Sequence, residues 1–227
     1  MLWVRLWDEK DSPTAFSPVA SFSTGLLTVT DWEGYWIGAP CRPYTDDRRG
    51  LLLRKTFCLN KDIDTAYAYI CGLGLFSLQI NGRKPDDSVL NPAHTQYSSA
   101  ALYRAFDVTS LLQKNENAIG IELGNGFFNE NSGVWKWQEA SWRSPCRLLF
   151  NLEIRFKDGS RKTVFSDGSW KATLDGPTLA NGIYQGETFD ARKQKKGYDL
   201  PGYMDSEWEA AKCIGRPGEL FPYRLSC

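Results

Sequence analysis

Gly72-Leu73-Gly74-Leu75-Phe76-Ser77-Leu78-Gln79-Ile80-Asn81-Gly82-Arg83-Lys84 decides the fold. The run from Leu75 to Ile80 reads as a strand. It stops at Asn81-Gly82, a strong hairpin signal because both turn positions tolerate positive φ. The chain continues through Asn91-Pro92 and Thr95-Gln96-Tyr97 to a second strand, Tyr103-Arg104-Ala105-Phe106. Asp107-Val108-Thr109 then makes a short turn before Asn117-Ala118-Ile119-Gly120-Ile121-Glu122-Leu123-Gly124-Asn125-Gly126. Strand, turn, loop, strand, turn and strand follow one another with almost no helical periodicity.

The same grammar extends outward. Leu51 to Leu59 and Thr65 to Cys71 read as strands before this stretch, and Ala101 to Phe106 and Asn117 to Leu123 within it. Arg147 to Phe156 meets Asp158-Gly159, a second hairpin signal, and returns as Arg161 to Phe165. Trp170 to Leu174 follows Asp167-Gly168. Strands of this number with Gly-rich turns predict an all-β sandwich or jelly roll. Asp107 to Gln113 reads as one helical turn capped by Asp107 or Thr109. Residues 193–210 are polar and irregular, and read as a surface wrap. Upstream, Trp3 to Trp7 alternates like a strand, Glu9 to Pro13 like a turn, and Val19 to Phe22 like a second strand. Two strands seldom form a stable unit by themselves.

Bulk properties remove several function classes. A chain of 227 residues holds one large β-domain, or one domain and a fragment, with ample area for a core. Its 27 basic and 27 acidic residues cancel, so it has no electrostatic pull on nucleic acid or an anionic membrane. No apolar run reaches membrane-spanning length. Six cysteines lack C-x-x-C spacing, which argues against zinc and against a disulfide framework; scattered free thiols are expected. The nine Trp, ten Tyr and twelve Phe serve a pleated core, flat platforms for sugar rings, or both. Met1 to Lys10 is too charged for a secretory leader, and the compartment stays open.

Several segments share an order and spacing with a known family: Trp36-Ile37-Gly38, Leu53-Arg54-Lys55-Thr56-Phe57, Gly72-Leu73-Gly74, Ile80-Asn81-Gly82, Phe106-Asp107-Val108-Thr109, Gly124-Asn125-Gly126 and Asp158-Gly159-Ser160. Asp167-Gly168-Ser169-Trp170, Gly186-Glu187-Thr188-Phe189-Asp190-Ala191-Arg192 and Asp205-Ser206-Glu207-Trp208 complete the set. The chain resembles the N-terminal module of bacterial alpha-L-rhamnosidases, glycoside hydrolase family 78, over most of 31–212. The resemblance implies a jelly-roll, galactose-binding-domain-like β-sandwich over 31–212. It implies that 1–30 are the last strands of an immunoglobulin- or fibronectin-like sandwich, or else an N-terminal extension, and that 213–227 lead to a downstream domain. The parent enzyme would hydrolyse terminal alpha-L-rhamnosyl bonds with two carboxylates and water, and its catalytic (α/α)-barrel would lie beyond residue 227. This chain would then be a non-catalytic accessory module supporting that barrel, with or without affinity for a rhamnose-containing glycan. A purely structural spacer and a free-standing lectin-like domain are the alternatives. Its partners would be the glycan and the catalytic and immunoglobulin-like domains of the parent chain. Some modules of this family bind calcium through loop oxygens, but no segment here has EF-hand spacing, and no cofactor is assigned. The family usually places Trp after Gly-Asn-Gly, where this chain has Phe127.

The loop from Phe127 to Arg143 is the leading candidate site. Asn125, Asn129, Glu130, Asn131, Trp135, Trp137 and Trp142 are the expected carbohydrate-binding set: rings to stack on, amides and a carboxylate to pair with hydroxyls. In an extended segment Trp135 and Trp137 would share one face. Sugar contact, docking against another domain and cover for one end of the core all remain open for this loop. Asn125 itself reads as a turn residue between flexible glycines. Glu187, Asp190 and Arg192 form an expected structural ion-pair network. Glycoside hydrolysis needs two carboxylates flanking one bond. Asp46-Asp47 and Asp86-Asp87 read as solvated loop acids, so no catalytic acid is assigned. His94, the only histidine, builds neither a triad nor a zinc site and reads as a surface or turn residue.

Overall fold

Alternation at a period of two puts every second side chain of the long strands on one face, and those faces make the core. The computed structural model describes residues 2–20, 24–40, 46–218 and 224–226. Its strands are β1 (Trp36–Gly38), β2 (Leu51–Leu59), β3 (Ile63–Leu73), β4 (Leu75–Ile80), β5 (Ala100–Leu102), β6 (Arg104–Asp107), β7 (Asn115–Gly124), β8 (Arg147–Phe156), β9 (Arg161–Phe165), β10 (Lys171–Thr173), β11 (Thr178–Gly182), β12 (Gly186–Phe189), β13 (Glu209–Ala210), β14 (Lys212–Gly215) and β15 (Arg224–Ser226). One sheet runs β14-β1-β8-β3-β6, with β9 also paired to β8; the other runs β13-β10-β2-β7-β4. The strands within both sheets pair antiparallel. β11 and β12 form a separate hairpin, and β15 pairs parallel with β5.

Between the sheets, Ala66, Ala68 and Ile70 of β3 and Leu148, Phe150 and Leu152 of β8 meet Leu51 and Leu53 of β2 and Ile119 and Ile121 of β7. Each fully buried Leu, Ile or Phe stabilises the fold by roughly 1.5–3 kcal/mol. Both outer faces are also partly covered. On β3 and β8 a second cluster packs Tyr69, Cys71, Leu73 and Leu149 under Trp32, Trp36, Tyr97, Tyr103 and Phe128. On β2 and β7 the irregular segment 193–208 lies across Arg54 and Gly120. A Cβ on Gly120 would stand 2.6 Å from that of Asp199, so only glycine admits the segment there.

Asn81 and Gly82 both have positive φ, 51° and 77°, as the turn signal requires. The return is a single bridge, Ile80 to Arg83, after which the chain leaves the sheet and β4 pairs with β7 instead. Pro85 and the Asp-rich residues after it offer no strand to continue the hairpin. Ala101 to Phe106 divides at Tyr103, whose buried ring packs on Trp32 and whose hydroxyl donates to the Leu26 carbonyl at 2.9 Å. The helical turn is the 3-10 segment Thr109–Leu111, with Asp107 Oδ1 accepting from the Thr109 N–H at 3.0 Å. Residues 212–215, expected to lead into a linker from 213, pair as β14 with β1 in the main sheet. Cys58, Cys71, Cys146 and Cys213 are free thiols; Cys41 and Cys227 lie outside the described residues.

The N-terminal ribbon is a hairpin whose second arm begins earlier than the expected Val19. Leu2 pairs with Ala20 and Trp7 with Pro13, so the return arm starts at Pro13 and includes Val19 and Ala20; Ser21 and Phe22 lie outside the described residues. Arg5 sits over the rings of Trp7 and Phe16, and nearly every residue is exposed. Deleting residues 2–20 is therefore expected to leave urea stability within about 0.5 kcal/mol of the parent chain. A loss of several kcal/mol would mean that the ribbon supports the sandwich.

Candidate functional site

Where β7 ends at Gly124, the chain enters a knot of buried amides. Asn125 is fully buried. Its backbone N–H donates to Asn181 Oδ1 at 2.7 Å, and its Nδ2 donates to the Arg48 carbonyl at 3.1 Å and the Asn181 carbonyl at 3.2 Å. Asn129 Nδ2 donates to Asn125 Oδ1 at 2.8 Å. Asn181 Nδ2 donates back to the Arg48 carbonyl at 2.9 Å, and Arg48 Nη2 donates to Gln185 Oε1 at 3.0 Å. Asn125 is thus the hub joining its own loop to the Arg48 segment and to β11 rather than a plain turn residue.

Glu130 locks the same joint. Its carboxylate is fully buried. Oε1 accepts from the N–H groups of Asn131 and Ser132, each at 2.8 Å, and Oε2 from that of Ile183 at 2.9 Å. Burial pushes the Glu130 carboxyl up, but the N–H groups of Ser132, Ile183 and Asn131 and the Gln185 side chain outweigh it and hold the group below the usual 4.5. Asn125, Asn129 and Glu130 therefore build the loop and present no surface of their own. Asn131, half-buried, accepts from Gln185 Nε2 at 3.3 Å.

The tryptophans separate. Residues Val134–Glu139 form a 3-10 segment, not an extended one, with Trp135 and Lys136 at φ 52° and 56°. This left-handed kink replaces the strand period that would have put Trp135 and Trp137 on one face. The Trp137 ring lies 5.5 Å from those of His94 and Phe127 and 6.3 Å from Trp142, which in turn packs on Tyr97. His94 is exposed as expected, yet its ring is one wall of this stack. Trp135 is 83% exposed, a whole indole standing in solvent. The indole N–H groups of Trp137 and Trp142 have no acceptor among the described residues.

A cleft of about 530 Å³ opens beside this joint, between the β11–β12 hairpin and the β4–β7 edge. Leu75, Phe76 and Leu90 line one part, and Glu122, Glu187 and Asn181 another. Thr178 Oγ1 lies 2.8 Å from both Glu122 Oε1 and Glu187 Oε1, and its single proton serves one of them at a time. Glu187 therefore faces Thr178 and not the expected ion pair. Arg192 Nη2 and Asp190 Oδ2 pair at 2.7 Å without it, on a surface where Arg192 is largely exposed. Asp46 and Asp86 are ion-paired as well as solvated, with Arg143 and Arg104 respectively. Among the described residues, no three His, Cys, Asp or Glu side chains converge as metal ligands would. None of the described helices is long and apolar enough to cross a membrane.

Arg48, Thr178, Asn181 and Gln185 carry much of this geometry and were not singled out in the sequence. The available signal was Asn181-Gly182 followed by Gly186 between two short β-prone runs.

Residues 61–224 match the family model described as the alpha-L-rhamnosidase N-terminal domain. An alpha-L-rhamnosidase of Formosa agariphila is 35% identical over 221 residues, covering 93% of this chain and 23% of its own length. The solved alpha-L-rhamnosidase of Dictyoglumus thermophilum superposes with a TM-score of 0.82 at 34% identity, over 99% of this chain and 25% of that one. That of Aspergillus terreus gives 0.87 at 29% identity, over 99% and 26%. The chain thus spans about a quarter of the length of these relatives.

Proposed function

This chain belongs to the alpha-L-rhamnosidase N-terminal domain family, and from that premise we propose that it is a non-catalytic accessory module of a glycoside hydrolase that removes terminal alpha-L-rhamnosyl groups. It supports the catalytic domain of its parent chain and contacts the glycan through the tip of the 127–143 loop. The exposed ribbon at 2–20 is the end of a preceding sandwich, which would cover its apolar side chains.

The observation carrying the carbohydrate reading is the exposure of Trp135 on a loop whose base is immobilised by Glu130 and the Asn125 hub. A pyranose offers an apolar face to a flat ring, and a ring held on a rigid base loses little entropy when one docks. Left-handed backbone at two successive non-glycine residues costs free energy, and such strain gathers at binding sites.

Titration with L-rhamnose and rhamnosylated oligosaccharides, followed by tryptophan fluorescence, tests this reading. Saturable quenching is expected, and Trp135→Ala should abolish it while changing stability by less than about 0.5 kcal/mol. Trp137→Ala should instead cost about 1–2 kcal/mol, because it opens the ring stack. Quenching that persists in Trp135→Ala, or none at all from a folded chain, sinks the carbohydrate reading and leaves the scaffold.

A further inference from the structure

The outer face of the β3–β8–β9 sheet carries a second group of side chains, separate from the loop. The register places Thr65, Arg155 and Arg161 in one cross-strand row and Tyr67, Glu153 and Thr163 in the next. Towards Tyr69 and Cys71 this face is roofed by the second hydrophobic cluster. Towards Arg155 it opens into a cleft of about 500 Å³ that Glu33 closes from the side. Thr163 Oγ1 donates to Glu33 Oε1 at 2.8 Å.

Two features of this face have no structural explanation. Arg155 and Arg161 are direct antiparallel partners, and like charges directly opposite destabilise a sheet. Both are exposed, and neither has a hydrogen bond or ion pair among the described residues, although Glu153 shares the face. Glu153 is kept apart in turn: burial pushes its carboxyl up, Glu33 adds to the rise and Arg161 only partly offsets it. The cleft therefore presents two guanidinium forks in one row and, in the next, the carboxylate of Glu153 flanked by the half-buried ring of Tyr67 on one side and by Thr163 with Glu33 on the other.

We propose that this face is a binding site for an acidic saccharide. The anionic group of the sugar lies between Arg155 and Arg161, its ring rests against Tyr67, and its hydroxyls donate to Glu153 and Glu33. An anion between the two guanidinium groups turns their repulsion into two charge-assisted contacts. Choosing a saccharide over another anion rests on the carbohydrate reading above; the anion site does not.

Calorimetric titration of the intact chain with a galacturonic acid trimer, with maltotriose as a neutral trimer and with inorganic sulfate separates these elements. The acidic trimer is expected to bind, and maltotriose to bind at least about tenfold more weakly. Arg155→Gln and Arg161→Gln should each weaken the acidic trimer by a similar factor, and added salt should weaken it further. Quenching by L-rhamnose should be unchanged in Arg155→Gln and Arg161→Gln, which leave the 127–143 loop intact, so failure of the loop reading and failure of this one are distinguishable. A second readout needs no ligand: Arg161→Gln relieves the like-charge pair and should raise Tm by about 1–2 °C. No binding of the acidic trimer, binding that both arginine variants retain, or a lower Tm in Arg161→Gln overturns the proposal. Sulfate competing as effectively as the trimer overturns its saccharide part.

Discussion

Asp205→Ala is expected to unfold roughly 10 °C below the parent chain, a loss of about 3–4 kcal/mol at 2–4 °C per kcal/mol for a chain of this size. The reason is the placement of Arg54. Strand β2 points this guanidinium outward from the core, yet it is only 2% exposed, because segment 193–208 lies over it. Nε donates to the Tyr198 carbonyl at 2.8 Å and Nη2 to the Leu200 carbonyl at 3.1 Å. Nη1 pairs with Asp205 Oδ2, and the ring of Tyr203 stands 5.3 Å from the guanidinium carbon. One side chain thus fastens four residues of an otherwise irregular wrap. Removing Asp205 leaves a charge that cannot reach water. Removing Arg54 leaves a carboxylate at 26% exposure, which can.

Arg54→Met should therefore cost less than Asp205→Ala, and the double variant less than the sum of the two. Urea denaturation of the four proteins gives the coupling energy directly. Additive losses, or an Asp205→Ala stability within 1 kcal/mol of the parent (about a third of the expected loss), would show that the wrap is held by Tyr198 and Trp208 packing alone.

The contrast between this wrap and the core shows which parts of the fold local sequence can reveal. Leu51–Leu59, Leu75–Ile80, Arg147–Phe156 and Arg161–Phe165 match their expected bounds to the residue. Their alternation is local, and a turn signal stops most of them. β1 enters the sequence reading only through the resemblance carried by Trp36-Ile37-Gly38. Its residues Trp36, Ile37 and Gly38 are all buried, so no alternation marks them, and their partner β14 lies far along the chain. The site behaves alike. Trp135 and Trp137 have strand spacing, and only the left-handed backbone between them turns one outward and the other inward. Glu130 reads as a ligand contact because a carboxylate in a polar loop is normally solvated. What buries it is the N–H of Ile183, 53 positions away.

That distant contact makes Glu130→Gln the second large effect, about 2–3 kcal/mol. The amide oxygen can still accept from Asn131 and Ser132, but the amide nitrogen then meets the Ile183 N–H, donor against donor. The joint between the aromatic loop and the β11–β12 hairpin should open, and amide exchange at Ser132 and Ile183 should accelerate ahead of the core strands. The pH dependence follows from the depressed carboxyl. A group more acidic in the folded than in the unfolded chain contributes its full stability above the ordinary value of 4.5 and loses it as the pH falls through the lower folded value. The gap between parent and Glu130→Gln should therefore be widest at neutral pH and narrow in acid. If it stays constant down to acid pH, or if Ile183 exchange is unchanged, Glu130 is not the latch. The rigid base beneath Trp135 would then rest on the Asn125 hub alone.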